Sequence, residues 1–289
     1  MGGATSASPQ DKLLFGTGGA PPSTPKPSSA AGVAQVRALG LDCMELAFVQ
    51  RVSMGEKTAA EVKQAAADHH VALSVHGPYY INLNSADEGK LNASRERILK
   101  AARVGAWCGA RNIVFHAAFY QQSSPEEVYE RVKTDLTGIT ATLRAEGVDV
   151  ILRPETTGKI DQFGTVEELL ALSAEMSGVL PCVDFAHLHA RSGQVNTYEE
   201  FCTPLKRIEE RLGRAALDDM HIHLSGIQYG AYGERKHLML QDSDLNYTEL
   251  LQAWIDFDVK GLVIVESPDT EKDAQLLQRT YGELRAARH

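Results

Sequence analysis

Cysteine is scarce in this sequence: there are four, Cys43, Cys108, Cys182 and Cys202, and none is spaced as CxxC. So scattered a set argues against a disulfide framework and against a structural zinc knuckle. It suits free, buried thiols in a reducing compartment. No apolar stretch approaches the ~18 residues that a membrane-spanning helix needs. The opening "MGGATSASPQ" has neither the basic nor the apolar region of a secretory signal, so a cytoplasmic protein is expected. Positive charge is also short, with 29 Lys and Arg against 38 Asp and Glu, a formal charge of −9. That balance does not advertise a nucleic-acid binder, which usually presents a basic face. Bound divalent cations would reverse the sign locally.

What is present is the composition of a folded enzyme. Of 289 residues, 43% are hydrophobic and 23% charged, enough for a large core. A tail to about residue 10 is expected to be disordered, and "GGAPPSTPKPSS" (18–29) is a Gly/Pro/Ser-rich loop. Apolar or β-branched runs then alternate with helical segments. The runs are "KLLFG" (12–16), "CMELAFV" (43–49), "VALSVH" (71–76), "NIVFHA" (112–117), "DVILRP" (149–154), "VLPCVD" (179–184), "MHIHLS" (220–225) and "GLVIVE" (261–266). Each reads as a parallel strand buried on both faces. Segments 93–108, 125–146 and 197–212 have helical length, and "SPEE", "TVEE" and "TYEE" are capping boxes that open helices. Neither a repeat nor a linker divides the chain. Eight strands alternating with eight helices over residues 11–289 predict one domain, a (β/α)8 TIM barrel. Its active site should lie at the C-terminal ends of the strands.

Those ends are where polar side chains gather. His76 closes the third strand, His116 the fourth and Glu155 the fifth. Asp184 closes the sixth, with His187 three residues on; the seventh carries His221 and His223, and the eighth ends in Glu266. Taken singly, a strand-end His or Glu is more often a hydrogen-bonded structural residue. Six consecutive strands delivering such groups to one rim are different, because converging carboxylates and imidazoles desolvate or repel one another without a cation among them. Mixed His and carboxylate donors suit Zn²⁺ or Mn²⁺.

The ordered blocks "HGPYYINL", "FHAAF", "PETTGK…FG", "CVDFAHLHA", "HLSG" and "ESP" resemble the endonuclease IV family of apurinic/apyrimidinic endonucleases, among the xylose-isomerase-like barrels. The resemblance runs from about residue 12 to the C-terminus. It implies a monomeric DNA-repair hydrolase, nucleoid-associated, that cuts the phosphodiester 5′ to an abasic site in damaged double-stranded DNA. The product keeps a 3′-hydroxyl, and a metal-bound hydroxide is the nucleophile. It further implies that His76, His116 and Glu155 hold one ion, while Glu155, Asp184, His223 and Glu266 hold a second. Glu155 would bridge the two as the central catalytic residue, and His187 and His237 would belong to a third site. The ions would be Zn²⁺, two or three of them, with Mn²⁺ as the alternative. His189 and His221 fall outside this set, His189 as a residue behind the ligands or in a loop and His221 one alternation deeper in the barrel.

One departure stands out. The family has an Asp-x-His pair after strand seven, whereas here Arg235 lies two residues before His237 and the nearest carboxylate is Glu234. Either Glu234 substitutes as a ligand, or Arg235 or Lys236 supplies the charge of a missing ion. Tyr79 and Arg51 are the candidates for loop residues that enter DNA, since an abasic nucleotide is cheaper to extrude than an intact one. Two other readings remain. A single-ion sugar isomerase or epimerase needs only Glu155, Asp184, His223 and Glu266, and a lesion binder without turnover would keep the wedge but not the third site.

Overall fold

Near-continuous apolar runs have no solvated face, so they are stable only as strands covered on both sides. In the protein, seen as a computed structural model that describes residues 11–26 and 28–288, each predicted run forms a strand. The expected disordered tail lies outside the described residues. Twelve strands occur among them: β1 Leu13–Gly18, β2 Cys43–Ala47, β3 Ala72–His76, β4 Asn112–Phe115, β5 Ala118–Phe119, β6 Ile151–Pro154, β7 Gln162–Phe163, β8 Cys182–Asp184, β9 Met220–Leu224, β10 Gly226–Gly230, β11 Gly233–Leu238 and β12 Gly261–Val265. Eight form one parallel sheet in the order β6-β4-β3-β2-β1-β12-β9-β8. Parallel bridges Leu152–Val179 and Glu155–Cys182 join its two edges into a barrel. The remaining strands pair as two small antiparallel ribbons, β5–β7 and β10–β11.

Helices α1 Ser29–Ala38, α2 Glu56–His69, α3 Glu88–Cys108, α4 Pro125–Ala145, α5 Val166–Glu175, α6 Phe185–Ser192, α7 Tyr198–Leu212, α8 Arg214–Leu217, α9 Tyr247–Asp256 and α10 Thr270–Ala286 follow the strands. All three predicted capping boxes are made, at Ser124 with Glu127, Thr165 with Glu168 and Thr197 with Glu200. The expected eight helices become ten among the described residues. One addition corrects the reading of His189 as a loop residue. β8 passes without a loop into α6, because the Asp184 side chain caps the helix by accepting the His187 backbone N–H at 2.7 Å.

The main apolar core lies between the sheet and the helices. Inside the barrel, Leu14, Cys43, Leu262 and Ile264 form a small apolar layer. Above it the interior is polar, with Glu45, Ser74, His221 and His223 all essentially inaccessible. Strand alternation produces this, since every second residue of each strand faces the axis.

Candidate metal centre

Glu155 leaves β6 at the top of the barrel and faces four imidazoles. Its Oε2 lies 3.3 Å from His76 Nε2 and 3.2 Å from His116 Nε2. Its Oε1 lies 3.1 Å from His187 Nδ1 and 3.4 Å from His223 Nδ1. One carboxylate thus addresses two clusters, one through each oxygen. Glu266, just beyond β12, comes within 3.6 Å of His223 Nδ1, and Asp184 Oδ2 within 3.5 Å of His187 Nδ1.

Three sets of donor atoms converge at the rim, each within 4.8 Å of one another: Glu155, Asp184, His223 and Glu266; His76, Glu155 and His223; and His187, Glu234 and His237, while Cys182, His221 and His223 make a fourth such group deeper in the barrel. The first and third bring together the residues expected of the second and third sites, with Glu234 beside the two histidines of the third. The second set differs in part, because His223 rather than His116 completes the compact group around His76 and Glu155. His116 still reaches the Glu155 oxygen that His76 shares.

In the third set, Glu234 lies 3.4 Å from His187 Nε2 and 3.6 Å from His237 Nε2. A close fit between the "PETTGK" loop and the β10–β11 hairpin puts it there. The Glu234 backbone N–H donates to Gly158 O at 2.9 Å, and a Cβ on Gly158 would fall 2.7 Å from Glu234 Cβ. Arg191 of α6 pins the same loop, its Nη1 donating to Thr157 Oγ1 at 2.9 Å and to Lys159 O at 2.6 Å. Arg235 and Lys236 point outward and are exposed, so the carboxylate rather than a cation joins the two histidines.

Several of these atoms are buried without hydrogen-bond partners: Glu155 Oε1, Asp184 Oδ2, His187 Nε2 and His223 Nδ1. Each such orphan costs about 1–3 kcal/mol. Nitrogen and oxygen donors facing one another at these distances are what a divalent ion would satisfy, so the residues fit the implied Zn²⁺ or Mn²⁺. Electrostatics agree. Burial would raise Glu155, but His116, His223 and His187 outweigh it and hold the carboxyl well below the usual range. Burial would likewise depress the imidazoles, yet the neighbouring carboxylates lift His187 well above the ordinary value and His76 to about 9, and Cys182 together with Glu45, Glu266 and Glu155 lifts His223 well above it. With no ion bound, protons on these histidines would balance the acidic cluster. Asp184 is raised, first by burial and then by Glu155 and Glu266.

Of the other sequence candidates, Tyr79 is 61% exposed on the rim, with its ring edge-on to His76 at 5.7 Å. Burial of its hydroxyl and the nearby Glu266 push it up to about 12. Arg51 is exposed in the loop after β2. His189 is buried against Tyr229 and lies 3.3 Å from Asp244, outside the three donor sets.

Two features escaped the sequence reading. Glu45 lies beneath the centre, 3.0 Å from His223 Nε2 and 2.9 Å from His221 Nε2. Its signal was an acidic residue at an inward position of the apolar run "CMELAFV". The other is a set of exposed apolar side chains, Tyr80, Ile160 and Tyr232, in loops at the same end of the barrel as Tyr79.

Residues 33–286 match the Xylose isomerase-like TIM barrel family, and the chain belongs to that family. It is 46% identical over 273 residues, covering 94% of this chain and 98% of the relative, to an uncharacterized protein of Methanocaldococcus jannaschii. It is 25% identical over 217 residues to a probable endonuclease 4 of Mycoplasma pneumoniae, with 73% and 72% of the two chains covered. Among solved structures it is similar to endonuclease IV from Thermus thermophilus, with TM-score 0.70 and 19% identity over 89% of this chain and 95% of that one. A D-tagatose 3-epimerase-like protein fits as well, with TM-score 0.70 and 15% identity over 89% and 94%. At these identities the structural matches speak for the barrel alone. No described helix is long and apolar enough to cross a membrane.

Proposed function

We propose that the protein is a metal-dependent phosphodiesterase that cuts damaged duplex DNA 5′ to abasic sites and leaves a 3′-hydroxyl. The observation that carries this reading is the His187–Glu234–His237 set, beside and separate from the Glu155–Asp184–His223–Glu266 quartet. A single-ion sugar enzyme has no use for it. The resemblance to a probable endonuclease 4 supports the same reading. Divalent ions in these sets would neutralise charge on phosphodiester oxygens and acidify water for attack.

The chain's own residues do the rest. Glu155, ionised and facing both ways, fixes the spacing of the two sides. The loop–hairpin contact through Gly158 holds Glu234 against His187. Tyr79, Tyr80 and Tyr232 offer flat apolar surface to an unstacked strand, and base–aromatic stacking is worth about 1–3 kcal/mol per base. Arg51 would contact the same strand. The reading takes DNA as partner and a monomer as the acting form, in the cytoplasm at the nucleoid.

A labelled duplex with one abasic analogue tests it, using protein loaded with Zn²⁺ or Mn²⁺, with and without chelator. Expected is chelator-sensitive cutting 5′ to the lesion and none in intact duplex. Glu155→Gln should lower the rate at least about 100-fold, since changes one shell further out already cost 10–100-fold. The second reading, a sugar epimerase, rests on the quartet and on the epimerase-like neighbour. His237→Ala separates the two, because it should abolish DNA cutting and leave a single-ion sugar reaction intact. Sugar turnover with no DNA cleavage under any metal would replace the first reading by the second.

A further inference from the structure

The ring of His223 spans two acidic layers. Nδ1 points up, 3.4 Å from Glu155 Oε1 and 3.6 Å from Glu266 Oε1. Nε2 points down, 3.0 Å from Glu45 Oε1, which is its nearest acidic oxygen although neither atom has a formed hydrogen bond. The other oxygen of Glu45 accepts a hydrogen bond from Ser74 Oγ at 2.7 Å and one from His221 Nε2 at 2.9 Å. Glu45 is therefore held from two further strands, β3 and β9, in a pocket where all four residues are 0–1% exposed. An ionised carboxylate has no proton to give. The nitrogen facing it must carry the hydrogen, which leaves the opposite nitrogen of a neutral ring as a bare lone pair. Carboxylates cannot satisfy that lone pair; a second proton can when no ion is bound, and a metal ion can take that proton's place.

We propose that Glu45 is a positioning residue: it holds the proton of His223 on Nε2, so that Nδ1 is the atom His223 presents to a metal ion shared with Glu155, Asp184 and Glu266. The inference rests on the metal reading of that quartet. His221 serves as a brace on Glu45 and not as a ligand. It and Ser74 hold the same oxygen of the carboxylate, so that loss of one leaves the other in place. Ligating histidines are commonly oriented in this way by a carboxylate on the far nitrogen, and losing such a partner costs about 10–100-fold in metal affinity.

The test reads the ring directly. Nitrogen-15 NMR of histidine-labelled, Zn²⁺-loaded protein should show His223 with a proton on Nε2 and metal on Nδ1. Glu45→Gln should weaken Co²⁺ or Zn²⁺ binding at this site by about 10–100-fold in competition titration and shift the visible Co²⁺ bands. His221→Asn, which leaves Ser74 holding Glu45 and spares the Glu45–His223 contact, should lose clearly less than Glu45→Gln by the same measure. Metal on Nε2 in the wild type, or equal losses in the two variants, would overturn the role of Glu45 while leaving the metal centre standing. If the wild type takes up no metal at the quartet, both readings fail together. Should Glu45→Gln fail to fold, the wild-type spectrum alone decides.

Discussion

His76 shows what the metal-free centre costs. Its imidazole is buried, which disfavours charge, but Glu155 at 3.3 Å lifts it to about 9. A raised pKa means that the folded state binds the proton more tightly than the unfolded chain. The stabilisation is complete below the unfolded value of about 6.5 and is lost as pH rises through about 9. At 1.36 kcal/mol per unit this is about 3 kcal/mol from His76, and His187 and His223 act in the same direction. In chelator, denaturant midpoints should therefore fall between pH 6.5 and 9.5. With Zn²⁺ in excess the fall should disappear, because an ion takes the place of the protons and its affinity grows as they leave. Stability of the metal-free protein that rises over this window would mean that the histidines are neutral and that the acidic cluster is balanced in some other way.

Between strands and site stands one loop–hairpin junction. Gly158 lets the backbone of "PETTGK" lie against β11, and a methyl there would meet Glu234 Cβ at 2.7 Å and His187 Cδ2 at 3.0 Å. Gly158→Ala should therefore push Glu234 off His187. The expected result is one metal equivalent fewer by elemental analysis and a stability loss of about 1–3 kcal/mol from overpacking. Unchanged stoichiometry would place the third ion elsewhere or nowhere. This junction also marks the limit of what the sequence makes legible. The strands and the three capping boxes follow from local pattern, and the polar strand ends locate the centre. The position of Glu234 does not, because it depends on a hairpin whose register slips between Gln228 and Tyr229 and on a glycine in a distant loop. α6 was missed because two histidines and an arginine in eight residues look like an exit to solvent, whereas Asp184 both caps the helix and faces the centre. Glu45 was missed because attention to strand ends overlooks a charge in the middle of a strand.

The whole barrel carries an ionic upper interior on a thin apolar floor, so its closure cannot rest on interior packing alone. Between β6 and β8 the sheet is joined by two isolated bridges. Beside them lies Arg153, 1% exposed, which donates to Asn112 Oδ1 at 2.9 Å, to Pro181 O at 3.2 Å and to Asp219 O at 2.8 Å. One guanidinium thus ties β4, the approach to β8 and the approach to β9 to β6 at the end of the barrel opposite the metal centre. Its removal leaves several buried acceptors without donors, and breaking a buried charged contact from one side costs about 3–5 kcal/mol. Arg153→Met, which keeps much of the volume, should lower the unfolding free energy by that amount in urea. Metal affinity at the quartet should stay near wild type, since Arg153 touches none of its members. A loss of affinity matching the loss of stability would instead mean that the closure and the centre form one cooperative unit, with the ions holding the barrel shut as much as the barrel holds the ions.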